Sequence, residues 1–193
     1  YGDRWVIVEP PPAPLTEEEM DLLYSLPFTY RPHPRYTGAR IPAFEMIRDS
    51  ITTHRGCYGE CRFCAIAVHQ GRTISSRSAK NILSQARRLV GDPSFRGTIT
   101  DVGGPTANMW KTGCRDAERG GCRGRRRCLV PEPCPRLKAS TEEQRRLWQA
   151  LRAIQGVRHV FVSSGIRHDP SVAFADDRWF EDLVRWHVSG RLK

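Results

Sequence analysis

Three cysteines within eight residues, Cys57-x3-Cys61-x2-Cys64, constrain this chain more than any other feature. Soft thiolates select zinc, copper(I) or iron-sulfur clusters. A structural zinc site is closed by four ligands, and only three cysteines are local here. Three ligands on a four-iron cluster leave one iron open, which is a reason for a spacing that stops at three. Two other readings of the loop stay open: a zinc knuckle completed by His54 or His69, and buried cysteines without a ligand.

The surrounding pattern places this loop in an alternating fold. Apolar or β-branched residues at alternate positions predict a strand over residues 47–53, running out into His54, Arg55, Gly56 and the cysteines. Ser78 is placed to cap a helix whose Ile82, Leu83, Ala86, Leu89 and Val90 recur at helical spacing, with Gly91 near its end. Residues 98–102 then predict a second strand that ends at Gly103-Gly104-Pro105. Ser140 and Thr141, with Glu143 and Gln144 three residues on, predict overlapping capping boxes for a helix through Leu147, Leu151 and Ile154, closed by Gly156. A third strand over 157–162 leads to Ser163, Ser164, Gly165, Ile166 and Arg167. A helix from Asp176 or Asp177 carries Trp179, Phe180, Leu183 and Val184, and the chain end opens a fourth strand at 190–193. Trp179 and Trp186 are expected to pack rather than to serve as ligand platforms. Such alternation predicts an α/β fold with a parallel sheet and right-handed crossovers, whose ligands sit at the carboxyl ends of the strands.

Ahead of this domain, the apolar run Trp5, Val6, Ile7 and Val8 meets Pro10, Pro11, Pro12 and Pro14, which belong to extended polyproline rather than a sheet interior. Thr16 and Glu19 form a capping-box signal for a short helix with Met20, Leu23 and Tyr24 on one face. Residues 1–40 are therefore expected to be an N-terminal extension and 41–193 the main domain.

A cysteine-rich insertion is expected at about 107–139, where Cys114, Cys122, Cys128 and Cys134 fall within twenty-one residues and no apolar periodicity runs. Four cysteines suit a second closed site, zinc or an auxiliary iron-sulfur cluster, with disulfides as the alternative. Bound metal rather than an apolar core is then expected to pin the insertion. Nine Lys or Arg against three acidic residues lie between Lys111 and Lys138, with Arg125, Arg126 and Arg127 at the centre. The whole chain carries 31 Lys and Arg against 21 Asp and Glu, a formal charge of +10. That surplus attracts polyanions, and a nucleic-acid partner and a merely solvated basic surface both remain open. Seven cysteines, an odd number, argue against a pure disulfide framework and for a reducing compartment. No apolar run reaches the roughly 18 residues of a membrane span, and no signal-peptide pattern opens the chain. A soluble cytoplasmic protein without a membrane partner is expected. Beginning at Tyr1 and ending at Lys193, the sequence reads as a fragment of something longer.

The cysteine loop, with aromatic Phe63 directly before Cys64, resembles the cluster-binding motif of the radical S-adenosylmethionine (SAM) superfamily. The resemblance implies that Cys57, Cys61 and Cys64 hold a [4Fe-4S] cluster whose open iron is chelated by the amino and carboxylate groups of SAM. An electron donor would then drive cleavage of SAM to methionine and a 5′-deoxyadenosyl radical. Gly103-Gly104-Pro105 resembles the Gly-Gly-Glu turn that contacts the methionine moiety in that superfamily, with Pro105 where Glu would stand. By the same likeness the adenine lies near Phe63, the methionine end near Gly103 and Gly104, and Ser163 and Arg167 are candidates for the pocket wall. Ile41 through Arg48, the cysteine loop through Arg72, Ser76-Arg77-Ser78, Asp101 through Met109 and Ser164-Gly165-Ile166-Arg167 together are similar to the YgiQ-type group. The implied fold is the first half of a partial (β/α) barrel, and the implied function a radical SAM enzyme of unassigned substrate. Two further functions stay open: a tRNA- or RNA-modifying enzyme of methylthiotransferase type, and a zinc-stabilised nucleic-acid-binding module without catalysis. No residue stands out as the site of substrate radical chemistry.

Overall fold

The computed structural model describes residues 2–7, 9, 12–117, 122, 127–139 and 141–190. Val8, Pro10, Pro11, Arg125, Arg126, Ser140 and residues 191–193, with most of the expected fourth strand, lie outside the described residues.

Its centre is a parallel ribbon. Strand β1 (Ser50–Thr52) pairs in parallel with β5 (Asp101–Gly103), and β4 (Thr98–Ile99) pairs in parallel with β8 (His159–Val160). Because β4 and β5 are one run broken at Thr100, residues 98–103 sit between the other two strands. Thr100 N–H donates to the Asp49 carbonyl at 2.9 Å and Val102 N–H to the Phe161 carbonyl at 3.0 Å, so the middle run bonds alternately to both sides. The expected parallel α/β order is present. Three strands cannot close a barrel, and the arrangement among the described residues is open.

Two amphipathic helices seal the ribbon. Helix α4 (Ala79–Val90) starts where Ser78 accepts the Asn81 N–H at 3.1 Å, and it turns Ile82 and Ala86 fully inward. Helix α5 (Glu142–Arg152) buries Leu147, Trp148 and Leu151 against Ile51, Ile99, Val102 and Val160. Each large apolar side chain removed from water contributes about 1.5–3 kcal/mol, so this layer is the main stabilising element.

Several local expectations are corrected. The strand expected over 47–53 begins only at Ser50, because Ile47 ends a short helix α2 (Pro42–Ile47) that Pro42, with its fixed φ, opens. Thr141 stands at the start of α5, but with φ −86° and ψ −17° it makes no side-chain cap. Gln144, expected in a capping box, points inward instead, donating to the Ala107 carbonyl at 2.6 Å and accepting from Trp179 Nε1 at 3.0 Å. A helix α6 (His168–Phe174) lies where no helix was expected, ahead of α7 (Asp177–Asp182), which Asp176 caps by accepting the Trp179 N–H at 2.9 Å. A π turn over Leu183–His187 continues α7. Trp179 packs on Trp148 with ring centroids 5.6 Å apart, whereas Trp186 is half-exposed and flanked by the guanidinium groups of Arg152 and Arg185.

Helix α1 (Glu17–Ser25) has the expected capping box, with Glu19 N–H to Thr16 Oγ1 at 3.2 Å and Thr16 N–H to Glu19 Oε2 at 2.8 Å. It is bound to α4: Met20 is fully buried, Asp21 accepts the Ser78 N–H at 2.9 Å, and the Tyr24 ring lies 4.1 Å under the Arg77 guanidinium. Trp5, Val6 and Ile7, by contrast, are exposed. No helix among the described residues is long and apolar enough to cross a membrane.

Candidate metal centre

After β1 the chain makes a second short strand, β2 (His54–Arg55), antiparallel to β3 (Ser75–Ser76), and the cysteine loop fills the space between them. Gly56, at φ +87°, turns the chain out of β2 in a conformation that side-chain-bearing residues resist. Cys57 N–H then donates to the Gly71 carbonyl at 3.0 Å and Gly56 N–H to Gln70 Oε1 at 3.1 Å, closing the loop's neck. Cys57 Sγ accepts the Gly59 N–H at 3.4 Å. Glu60, between the first two cysteines, has φ +46°, a strained backbone held by an ion pair from its carboxylate to Arg72 at 3.0 Å. Cys64 N–H donates to the Cys61 carbonyl at 3.0 Å, and helix α3 (Ile66–His69) follows at once.

The surroundings of Cys57 act on its thiol in opposing directions. Burial pushes the Cys57 thiol up from its ordinary pKa, the Gly59 N–H and the Arg167 guanidinium pull it down, and the nearby Cys61 and Cys64 raise it again. Gathering three such groups on one loop is unfavourable for free thiolates and favourable for thiolates shared with cations. Among the described residues, no three His, Cys, Asp or Glu side chains converge on a single-ion position. His54 is fully buried and bonded to Thr53 at 2.9 Å, and His69 ends the exposed side of α3. A polynuclear cluster places each cysteine on its own iron, which the loop's donor chemistry fits.

Beside the loop lies a cleft of about 280 Å³ whose wall includes Gly103, Gly104, Pro105, Ser164, Ile66 and Gln70. It joins the glycine turn after β5 to the helix that follows Cys64; the cysteines themselves are not on its wall. Gly104 is tightly held, since a Cβ there would stand 2.6 Å from His54 Cε1. Ser163 is exposed, with its hydroxyl donated to the Thr100 carbonyl at 2.7 Å. Phe63 is 93% exposed and packs on nothing in the cleft. Arg167 lies against the loop, donating from Nη1 to Cys61 Sγ at 2.8 Å.

The second cysteine group is adjacent. Cys114, on β6 (Gly113–Cys114), joins Cys122, Cys128, Tyr58 and Arg72 around a cavity of about 220 Å³. Cys134 N–H donates to the Cys128 carbonyl at 2.8 Å. Cys57, Cys61, Cys64, Cys114, Cys128 and Cys134 stand outside disulfides in this structure. The insertion has an apolar core after all: Leu129 and Leu137, the latter on β7 (Leu137–Lys138), bury with Tyr58 and Met109. Sequence spacing hid this because its members are far apart along the chain.

Residues without an assigned role in the sequence also shape the site. Asp101 accepts the backbone N–H groups of Ser163 at 2.8 Å and Ser164 at 2.9 Å, and Asn108 exchanges hydrogen bonds with the backbone of Arg167. The signal for Asp101 was its place next to the glycine turn; nothing in the sequence marked Asn108's reach across 59 residues.

A family description, Radical SAM N-terminal, matches residues 1–50. UPF0313 proteins of Methanocella arvoryzae and Methanosarcina acetivorans are 48% and 46% identical over 98% and 97% of this chain, covering 31% and 25% of their own lengths. The UPF0313 protein YgiQ of Escherichia coli is 41% identical over 100% of this chain and 26% of its own length. The chain thus spans between a quarter and a third of the length of these relatives. Over nearly its whole length the chain is thus similar to a segment of UPF0313, YgiQ-type proteins, and its first fifty residues match the Radical SAM N-terminal description.

Proposed function

We propose that Cys57, Cys61 and Cys64 hold a [4Fe-4S] cluster and that the cleft at Gly103, Gly104 and Pro105 receives SAM, making the full-length protein a radical SAM enzyme of unassigned substrate. The observation that carries this reading is the gathering of three cysteines on one narrow-necked loop next to a glycine-walled cleft. Bound there, the cluster and SAM supply one-electron reductive cleavage to methionine and a 5′-deoxyadenosyl radical. The protein's part is positional. Gly56, Gln70 and Gly71 close the loop's neck, and the Glu60–Arg72 pair holds its strained apex. Lacking side chains, Gly103 and Gly104 pack the turn directly against Ser164 and His54, and their backbone lines the cleft. A reducing, cytoplasmic setting goes with this reading, since thiols on an open loop stay reduced there.

Cys114, Cys122, Cys128 and Cys134 are proposed as a second thiolate metal site, zinc or iron-sulfur, because three of them ring one cavity and the fourth is bonded to its neighbour. Metal retained by a Cys57→Ala, Cys61→Ala, Cys64→Ala variant, and lost on adding Cys128→Ala, is the expected result; no residual metal refutes it.

The principal test is anaerobic reconstitution of the full-length protein with iron and sulfide, followed by assay of 5′-deoxyadenosine formed from SAM with dithionite. Cys61→Ala should abolish product. Undiminished cleavage by that variant would remove Cys61 from the ligand set.

A further inference from the structure

Arg167 is held from three directions. Its backbone N–H donates to Asn108 Oδ1 at 3.1 Å, while Asn108 Nδ2 at 2.8 Å and Ser171 Oγ at 2.8 Å both donate to its carbonyl. Its side chain forms a fork with Asp169, Nε to Oδ1 at 2.9 Å and Nη2 to Oδ2 at 2.5 Å. This leaves Nη1 to donate to Cys61 Sγ at 2.8 Å. Such a bidentate pair fixes the guanidinium plane as well as its charge. Gly59 completes the seat, because a Cβ there would stand 2.5 Å from Nη1 and 2.9 Å from Cζ. Any larger residue there would force the guanidinium to shift from this seat.

A fixed cation donating to a ligand sulfur has a defined consequence. It withdraws electron density from the sulfur and stabilises the more negatively charged state of whatever that sulfur binds. Potentials of iron-sulfur clusters respond to hydrogen bonds on their sulfurs and to local net charge. We propose that Arg167 is a positioning residue that orients Cys61 and raises the reduction potential of the cluster, with Asp169 and Gly59 as its supports; this rests on the cluster assignment above. The charge also serves the loop's own geometry, tying the start of α6 to the middle cysteine across 106 residues.

The test is an EPR-monitored redox titration of the anaerobically reconstituted full-length protein, with iron content measured alongside. Arg167→Gln should keep its iron and shift to a more negative potential. At the potential where wild type is half reduced, the ratio of reduced to oxidised cluster should fall about tenfold, about 59 mV for a one-electron couple. Gly59→Ala should shift the same way with Arg167 still present, since its Cβ claims the space of Nη1. Arg167→Lys keeps the charge without the fork and should fall between. Equal potentials in wild type, Arg167→Gln and Gly59→Ala, all at full iron content, would overturn the inference and leave the cluster assignment standing. Wild-type protein that takes up no iron at the three cysteines overturns that assignment, and the inference with it.

Discussion

Asp101 grips Ser164 twice, accepting its backbone N–H at 2.9 Å and its hydroxyl as well. The same carboxylate takes the Ser163 N–H at 2.8 Å. The end of β5 is thereby tied to the loop after β8, and Gly103 is brought so close to Ser164 that a Cβ would lie 2.6 Å from its hydroxyl oxygen. Asp101→Asn puts an amide donor where an acceptor is needed and removes a charge-assisted bond. A loss of about 2 kcal/mol is expected in urea unfolding, against about 1 kcal/mol for Ser164→Ala. Equal losses in the two variants would show that the hydroxyl contact alone matters.

Acid should weaken the fold in a defined window. Burial lowers the pKa of His54 to about 4 from an ordinary 6.5, because the charged ring cannot be solvated between β1 and the glycine turn. The unfolded chain then binds the extra proton between these values, so the stabilisation is full above pH 6.5 and is lost as pH falls toward 4. By pH 5 His54 alone removes about 2 kcal/mol. His187, also buried and lowered to about 4, acts in the same direction. Urea midpoints at pH 7.5 and pH 5 check this, and indistinguishable values would mean the rings protonate without unfolding.

Gly104→Ala introduces a Cβ 2.6 Å from His54 Cε1 and 2.8 Å from the His54 carbonyl oxygen. Backbone cannot yield as a flexible side chain does. A cost of about 1–3 kcal/mol is expected, as for other overpacked sites. Weaker SAM binding, read by equilibrium dialysis, should accompany it; unchanged stability and affinity would place the turn away from both jobs.

Met20→Ala tests whether α1 is part of the cooperative fold. The side chain is fully buried against the α4 region, and its truncation should cost about 2–5 kcal/mol in global unfolding. A variant with wild-type stability would show α1 to detach before the rest unfolds.

What could be learned from residues close in sequence was learned there. Thr16 and Glu19 lie one helical turn apart, and Ser78 stands directly before the apolar face of Ile82 and Ala86, so capping and periodicity were legible. The three parallel strand segments and the three-cysteine loop were legible for the same reason, since β-branched alternation and thiol spacing are local signals. Thr141 shows the limit of local signals. Its capping pattern was present, yet Gln144 gained more by bonding Ala107 and Trp179 in the interior.

The sequence by itself determined the three cysteines of the loop, the identity of its glycines and the alternation of the main strands with helices α4 and α5. Only the tertiary structure decided that Arg167 reaches Cys61, that Asp101 draws in Ser164, that Phe63 faces outward and that Leu129 and Leu137 share a core with Tyr58. These contacts join segments tens of residues apart. They become favourable only after the ribbon and its helices have paid the entropy of bringing those segments together, so no short window of residues contains them.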